Sequence, residues 1–98
     1  MDLEKIPEKY REDIEKATYL LKNAGSKNVY LFGSMVTGKI RVNSDIDIGV
    51  MGLAPQRYFR VWSILTNALE NEVDLVDFDV SHEFFTFLSS INEVKKIG

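Results

Sequence analysis

Asp45 and Asp47 sit two residues apart in the segment DIDIGV, where Ile46, Ile48 and Val50 alternate with Asp45, Asp47 and Gly49. That alternation is the period of a half-buried strand, so both carboxylates leave one face and the aliphatic side chains leave the other. Like charges ~4 Å apart cost on the order of 4 kcal/mol at an effective dielectric of about 20, so a fold that holds them together supplies a cation or raises a pKa. The chain has no cysteine and one histidine, His82, so a metal at this place would be held by oxygen, which points to Mg²⁺. Asp-x-Asp alone is also what the solvated face of a strand looks like. Two further features change the balance. Gly33-Ser34 ends the run Val29-Tyr30-Leu31-Phe32, where a glycine lets the backbone approach a ligand and a helix starting at Ser34 would aim N–H groups at phosphate. Asp74 interrupts VDLVDF between Val73 and Leu75, a position where a charge is expensive unless paired or bound to metal. Asp77 or Asp79 is the alternative inward carboxylate.

The elements that must position these residues follow from periodicity. Pro7 suits the first turn of a helix, Glu8, Glu12 and Asp13 lie near its start, and Gly25 closes it after Lys22. Tyr10, Ile14, Ala17, Leu21 and Ala24 mark its buried face. Val29 to Phe32 read as a buried strand, DIDIGV as a second, and VDLVDF as a third. Between the last two, Tyr58, Val61, Trp62, Leu65, Ala68 and Leu69 fit one face of a helix from Pro55 to Glu70. Ser81 is an N-cap for a closing helix marked by Phe84, Phe87, Leu88 and Ile91 and ending near Lys95, Lys96 and Gly98. The expected order is α, β, β, α, β, α. The fold class is α/β (α+β): a two-layer domain spanning 1–98, a small mixed sheet with helices on one face and the other face free to carry a site.

Composition excludes several function classes. The 98 residues are 45% hydrophobic and 28% charged, ordinary for a globular chain and unlike a disordered one. No apolar run approaches the ~20 residues of a membrane span, and MDLEKIPEKYRED is acidic and polar, unlike a signal peptide, so the cytoplasm is the expected compartment. Without cysteine there is no disulfide framework, zinc-thiolate site or thiol nucleophile. A net charge of −3 and a pI near 5.1 give no reason to expect tight binding to long nucleic acid.

The stretch LFGSMVTGKIRVNSDIDIGV resembles the signature of the polymerase β-type nucleotidyltransferases. In that family Gly-Ser is followed about ten residues later by Asp-x-Asp and, after a helix, by a third carboxylate in a strand. Short members, the minimal nucleotidyltransferases or MNT proteins, commonly carry Val-Asp-Leu-Val in that strand, as Val73 to Val76 do here. The resemblance covers nearly the whole chain. It implies that Asp45, Asp47 and Asp74 ligate Mg²⁺, two ions in all, that Gly33 and Ser34 hold a triphosphate, and that a nucleoside monophosphate, AMP from ATP, passes to an acceptor hydroxyl. Two metals ~3.5–4 Å apart suit in-line displacement at phosphorus, neutralising charge and aligning the attacking and leaving oxygens. Relatives of this size are frequently antitoxins paired with HEPN-domain toxins, so the resemblance also implies such a partner, neutralised by adenylylation or, alternatively, by complex formation alone. The chain departs from the pattern at Met35-Val36-Thr37-Gly38, where many relatives have Ala-Arg-Gly; Lys39 and Arg41 are the nearby cations.

The remaining candidates have plain explanations. His82 is a lone loop histidine, Trp62 fits the buried stripe of its helix, and Arg57 and Arg60 fit a solvated helix face. Phe85 falls off the Phe84, Leu88, Ile91 stripe, so an exposed aromatic is expected there, to be covered by a second copy or a partner protein. An aspartate-nucleophile phosphatase also uses Asp-x-Asp, but it leaves Gly33-Ser34 and Asp74 unexplained.

Overall fold

The computed structural model describes residues 5–98, so the first four residues of the acidic N-terminal segment lie outside the described residues. Helix α1 (Glu8–Asn23) begins after Pro7, whose carbonyl accepts the Tyr10 and Arg11 N–H groups at 3.0 and 3.1 Å. Gly25, at φ 105°, closes it: its N–H donates to the Lys22 carbonyl at 3.1 Å, and that of Ser26 returns to Leu21 at 3.0 Å. Then follow β1 (Asn28–Phe32), the single turn α2 (Ser34–Thr37) and β2 (Ile46–Met51). A 3-10 turn at Pro55–Arg57 leads into α3 (Tyr58–Ala68), succeeded by β3 (Val73–Asp77), α4 (His82–Ser90) and β4 (Val94–Lys96).

The four strands form one mixed sheet in the order β3-β2-β1-β4, with β1 antiparallel to β2 and β4, and β2 parallel to β3. A parallel pair cannot be joined by a tight turn, and α3 supplies the crossover. No helix among the described residues is long and apolar enough to cross a membrane.

Lys95 and Lys96 lie in β4, not at the end of the closing helix where sequence places them. The helix stops at Ser90 because Asn92 takes φ 57° and sends the Glu93 N–H back to the Leu88 carbonyl at 2.9 Å, a termination that asparagine tolerates almost as glycine does. The chain then runs along β1, with Val94 opposite Phe32 and Lys96 opposite Tyr30, and the two exposed lysines protect a sheet edge from further pairing.

On one face of the sheet Val29, Leu31, Ile46, Ile48, Val50 and Leu75 pack under Ile14, Ala17 and Leu21 of α1 and Val61 and Leu65 of α3. Each large aliphatic buried in this way contributes about 1.5–3 kcal/mol relative to exposure. Strand alternation sends Tyr30, Phe32 and Val76 to the opposite face, where they meet Phe78, Phe85, Leu88 and Val94. The expectation of helices on one face therefore holds for α1 and α3, while α4 covers part of the face that carries the carboxylates. Apolar residues at 84, 85, 87, 88 and 91 occupy so much of the circumference of α4 that periodicity does not decide which side packs. Phe85 turns inward, its ring centroid 5.1 Å from those of Tyr30 and Phe78. It is half-buried against the aromatic core and not the exposed aromatic expected; Phe84, Phe87 and Ile91 are the ones left 39%, 57% and 41% exposed.

Candidate active site

Two adjacent parallel strands bring Asp47 and Asp74 level with one another. In the β2–β3 register Asp47 pairs with Asp74, and in the β1–β2 register Phe32 pairs with Asp47, so Phe32, Asp47 and Asp74 form one row across the sheet. Asp45 immediately precedes β2 and is exposed, as is Asp74, while Asp47 is partly buried between them. The sheet thus separates the candidates for the third carboxylate. Val50 pairs with Asp77, which puts Asp77 on the face opposite Asp74. The Asp77 Oδ1 accepts the Asp79 N–H at 2.9 Å, and Asp79 in turn accepts the Gly52 N–H at 2.7 Å, so both brace turns.

The chain leaves β1 through Gly33, at φ 72° and ψ −142°, a conformation essentially restricted to glycine. Its N–H donates to the Glu93 carbonyl at 3.3 Å, and its own carbonyl accepts Val36 and Thr37 at 3.0 and 3.1 Å, opening α2 at Ser34. Gly38, at φ 84°, closes that turn with its N–H on the Ser34 carbonyl at 2.9 Å. A β-carbon at Gly33 would strike the Asp47 carboxylate, so the turn and the acidic row are in direct contact. A helix's first N–H groups have no partners within the helix, so α2 offers donors beside that row. Lys39 and Arg41 are exposed in the loop between α2 and β2.

Burial pushes the Asp47 carboxyl up to about 6, with the charges of Asp74 and then Asp45 adding to the shift. The three carboxylates act on one another electrostatically, although among the described residues no group of three or more His, Cys, Asp or Glu is close enough to hold a metal as it stands. Their donor set nevertheless fits a hard cation: oxygen-only, like-charged, and with Asp47 raised toward neutrality by burial first and by the other two carboxylates second. A cation is the species whose arrival reverses that repulsion.

Tyr58 is a neighbour that sequence reasoning placed only in the helix core. Its hydroxyl donates to the Leu75 carbonyl, and burial, then Asp74, then Asp77 raise its pKa. Nothing in the spacing of α3 signals that contact, since it depends on how the crossover seats α3 against the edge strand. His82 begins α4, exposed, its ring stacked 6.1 Å from that of Phe85.

The chain matches the family described as "Polymerase beta, Nucleotidyltransferase" over residues 12–96. It is also similar to solved structures of toxin–antitoxin complexes. One, containing AMP-PNP, is 31% identical at a TM-score of 0.63, with 87% of this chain and 69% of that chain covered. The MntA-HepT complex is 27% identical at a TM-score of 0.60, covering 88% and 69%. A complex of the tri-AMPylated Shewanella oneidensis HEPN toxin with an MNT antitoxin is 26% identical at 0.60, with the same 88% and 69% covered. No curated protein matches the chain.

Proposed function

Because this chain belongs to the polymerase β-type nucleotidyltransferase family, we propose that it transfers AMP from ATP to a hydroxyl of a HEPN-type toxin and so acts as its antitoxin. The observation that carries this reading is the row of Asp47 and Asp74, flanked by Asp45 and pressed against the Gly33-Ser34 turn. The AMP-PNP complex and the tri-AMPylated HEPN toxin among its structural relatives support the donor and the acceptor class. A cytoplasmic location, where ATP is available, goes with this reading.

The chain's residues divide the work. Asp45, Asp47 and Asp74 would hold Mg²⁺, which when bound neutralises charge on the phosphates and lowers the pKa of a ligated hydroxyl. Ser34 and the first amides of α2 hold the triphosphate and steady the departing pyrophosphate. Asp74, exposed on the edge strand, is open to an incoming protein and takes the proton of the acceptor hydroxyl. The acceptor oxygen bonds to the α-phosphorus as the bond from that phosphorus to the bridging oxygen breaks. With no cysteine and no histidine placed beside a nucleophile, the transfer is direct.

A second reading, an antitoxin that only binds, is favoured by Met35-Val36-Thr37-Gly38 in place of the usual arginine-containing segment. Single-turnover assays with labelled ATP and the partner separate the two. Transfer predicts loss of product by several orders of magnitude in Asp74→Asn and ~10–100-fold in Ser34→Ala; binding alone predicts no labelled product from any variant.

A further inference from the structure

Helix α1 carries no residue of the acidic row, yet its first two turns grip both loops that enter it. The Tyr10 hydroxyl, on a residue 2% exposed, donates to the Arg41 and Val42 carbonyls at 3.2 and 3.3 Å, and the Lys9 ammonium to that of Val42 at 3.2 Å. Three residues on from Val42 is Asp45. One turn along the helix Asp13, only 6% exposed, accepts the Asn71 N–H at 2.7 Å, the Asn71 side-chain amide at 2.8 Å and the Glu70 N–H at 3.3 Å. The Asn71 amide also donates to the Lys9 carbonyl at 2.9 Å, and three residues on from Asn71 is Asp74. Between the loops the Ile46 N–H donates to the Glu72 carbonyl at 2.9 Å, and a polar cleft lined by Lys9, Ser44, Asp45, Asn71 and Glu72 opens beside it.

A buried carboxylate that accepts three N–H bonds has a fixed orientation, and so do the loop amides that it holds. Strands β2 and β3 fix the height of Asp47 against Asp74, but Asp45 lies outside β2 and depends on its loop. We propose that Tyr10 and Asp13 are positioning residues for the carboxylate row, setting through the 41–44 and 69–72 loops how closely Asp45, Asp47 and Asp74 converge on a divalent cation. This role rests on the nucleotidyltransferase reading of the row. It also explains why a polar bridge is maintained from the aliphatic helix α1 to two separate loops, when α1 is already anchored by its apolar face.

The test compares Mn²⁺ affinity, read from the paramagnetic resonance of the free ion, at a temperature where circular dichroism shows every variant folded. Tyr10→Phe removes only the hydroxyl, Asp13→Asn one acceptor oxygen, and Ala17→Gly weakens the same helix by roughly 1 kcal/mol without touching either loop. The expected result is a loss of roughly 10-fold or more in Mn²⁺ affinity for Tyr10→Phe and Asp13→Asn, in the range seen when groups that orient metal ligands are removed. Ala17→Gly should bind as wild type does despite its lower melting temperature. Wild-type affinity in both loop-contact variants, or an equal loss in Ala17→Gly, overturns the positioning role alone. A wild type that binds no Mn²⁺ overturns the metal site itself, and this role with it.

Discussion

Gly33 and Asp47 touch so closely that a β-carbon on the first would occupy the carboxylate of the second. The turn that opens α2 and the strand that bears Asp47 are therefore one packed unit, and the glycine is required twice, by its backbone angles and by that contact.

Gly33→Ala should consequently destabilise the protein by about 1–3 kcal/mol through backbone strain and at the same time displace Asp47. Denaturant unfolding measures the first effect and Mn²⁺ titration the second. Gly38→Ala serves as the comparison: its φ is also positive but nothing lies within 4 Å of the added carbon, so it should lose stability while keeping Mn²⁺ affinity.

Asp47→Asn should raise thermal stability. An Asp titrates near 3.9 when unfolded, but Asp47 is pushed up to about 6 in the folded chain, so the folded state binds its proton more tightly. Stability from this group therefore falls as pH rises from about 4 to about 6 and stays reduced above that. Removing the charge should return about 1–2 kcal/mol at pH 7 after solvent screening, several degrees in melting temperature for a chain of this size. If Asp47→Asn raises the melting temperature by the same amount at pH 4 as at pH 7, or not at all, the Asp47 carboxyl is not held above its ordinary range in the folded chain.

Cation binding should show the same group from the other side. Protons compete with metal for the Asp47 carboxylate, so Mn²⁺ affinity should decline as pH falls through about 6, well above the range of an ordinary aspartate. Isothermal titration between pH 5 and pH 8 reads this directly. A midpoint near pH 4 would mean that the row is open and unstrained.

Much of the candidate site's placement was legible in the sequence because its signals are local: the alternation in DIDIGV and the glycine at the end of β1 are short-range features, and Gly33, Asp45 and Asp47 lie within fifteen residues of each other. Sequence pointed to Asp74 but left Asp77 and Asp79 open, since which of them stands level with Asp47 depends on the register of β3 against β2, a relation between strands separated by a helix. The fourth strand was hidden for a similar reason. Val94-Lys95-Lys96 is too short to show a period, and only the left-handed turn at Asn92 and pairing with β1 make it a strand. In α4 the abundance of phenylalanine concealed the inward face, which the aromatic cluster of Tyr30, Phe32 and Phe78 selects.

That rotation of α4 yields a contrast in partner binding. Phe85→Ser removes a half-buried ring packed on Tyr30 and Phe78 and should cost about 2 kcal/mol, whereas Phe87→Ser removes an exposed one and should leave the melting temperature nearly unchanged. If the exposed Phe84, Phe87 and Ile91 stripe meets the partner, Phe87→Ser should weaken the complex by tenfold or more in surface plasmon resonance. Undiminished affinity would remove α4 from the interface.

Intact-mass spectrometry of a HEPN-type partner after incubation with this protein, ATP and Mg²⁺ reads AMP transfer directly. The wild type should add one or more AMP groups and Asp74→Asn none, although that variant stays folded and still binds the partner. A partner that is inhibited by the wild type yet gains no mass would contradict transfer and leave an antitoxin that works by binding alone.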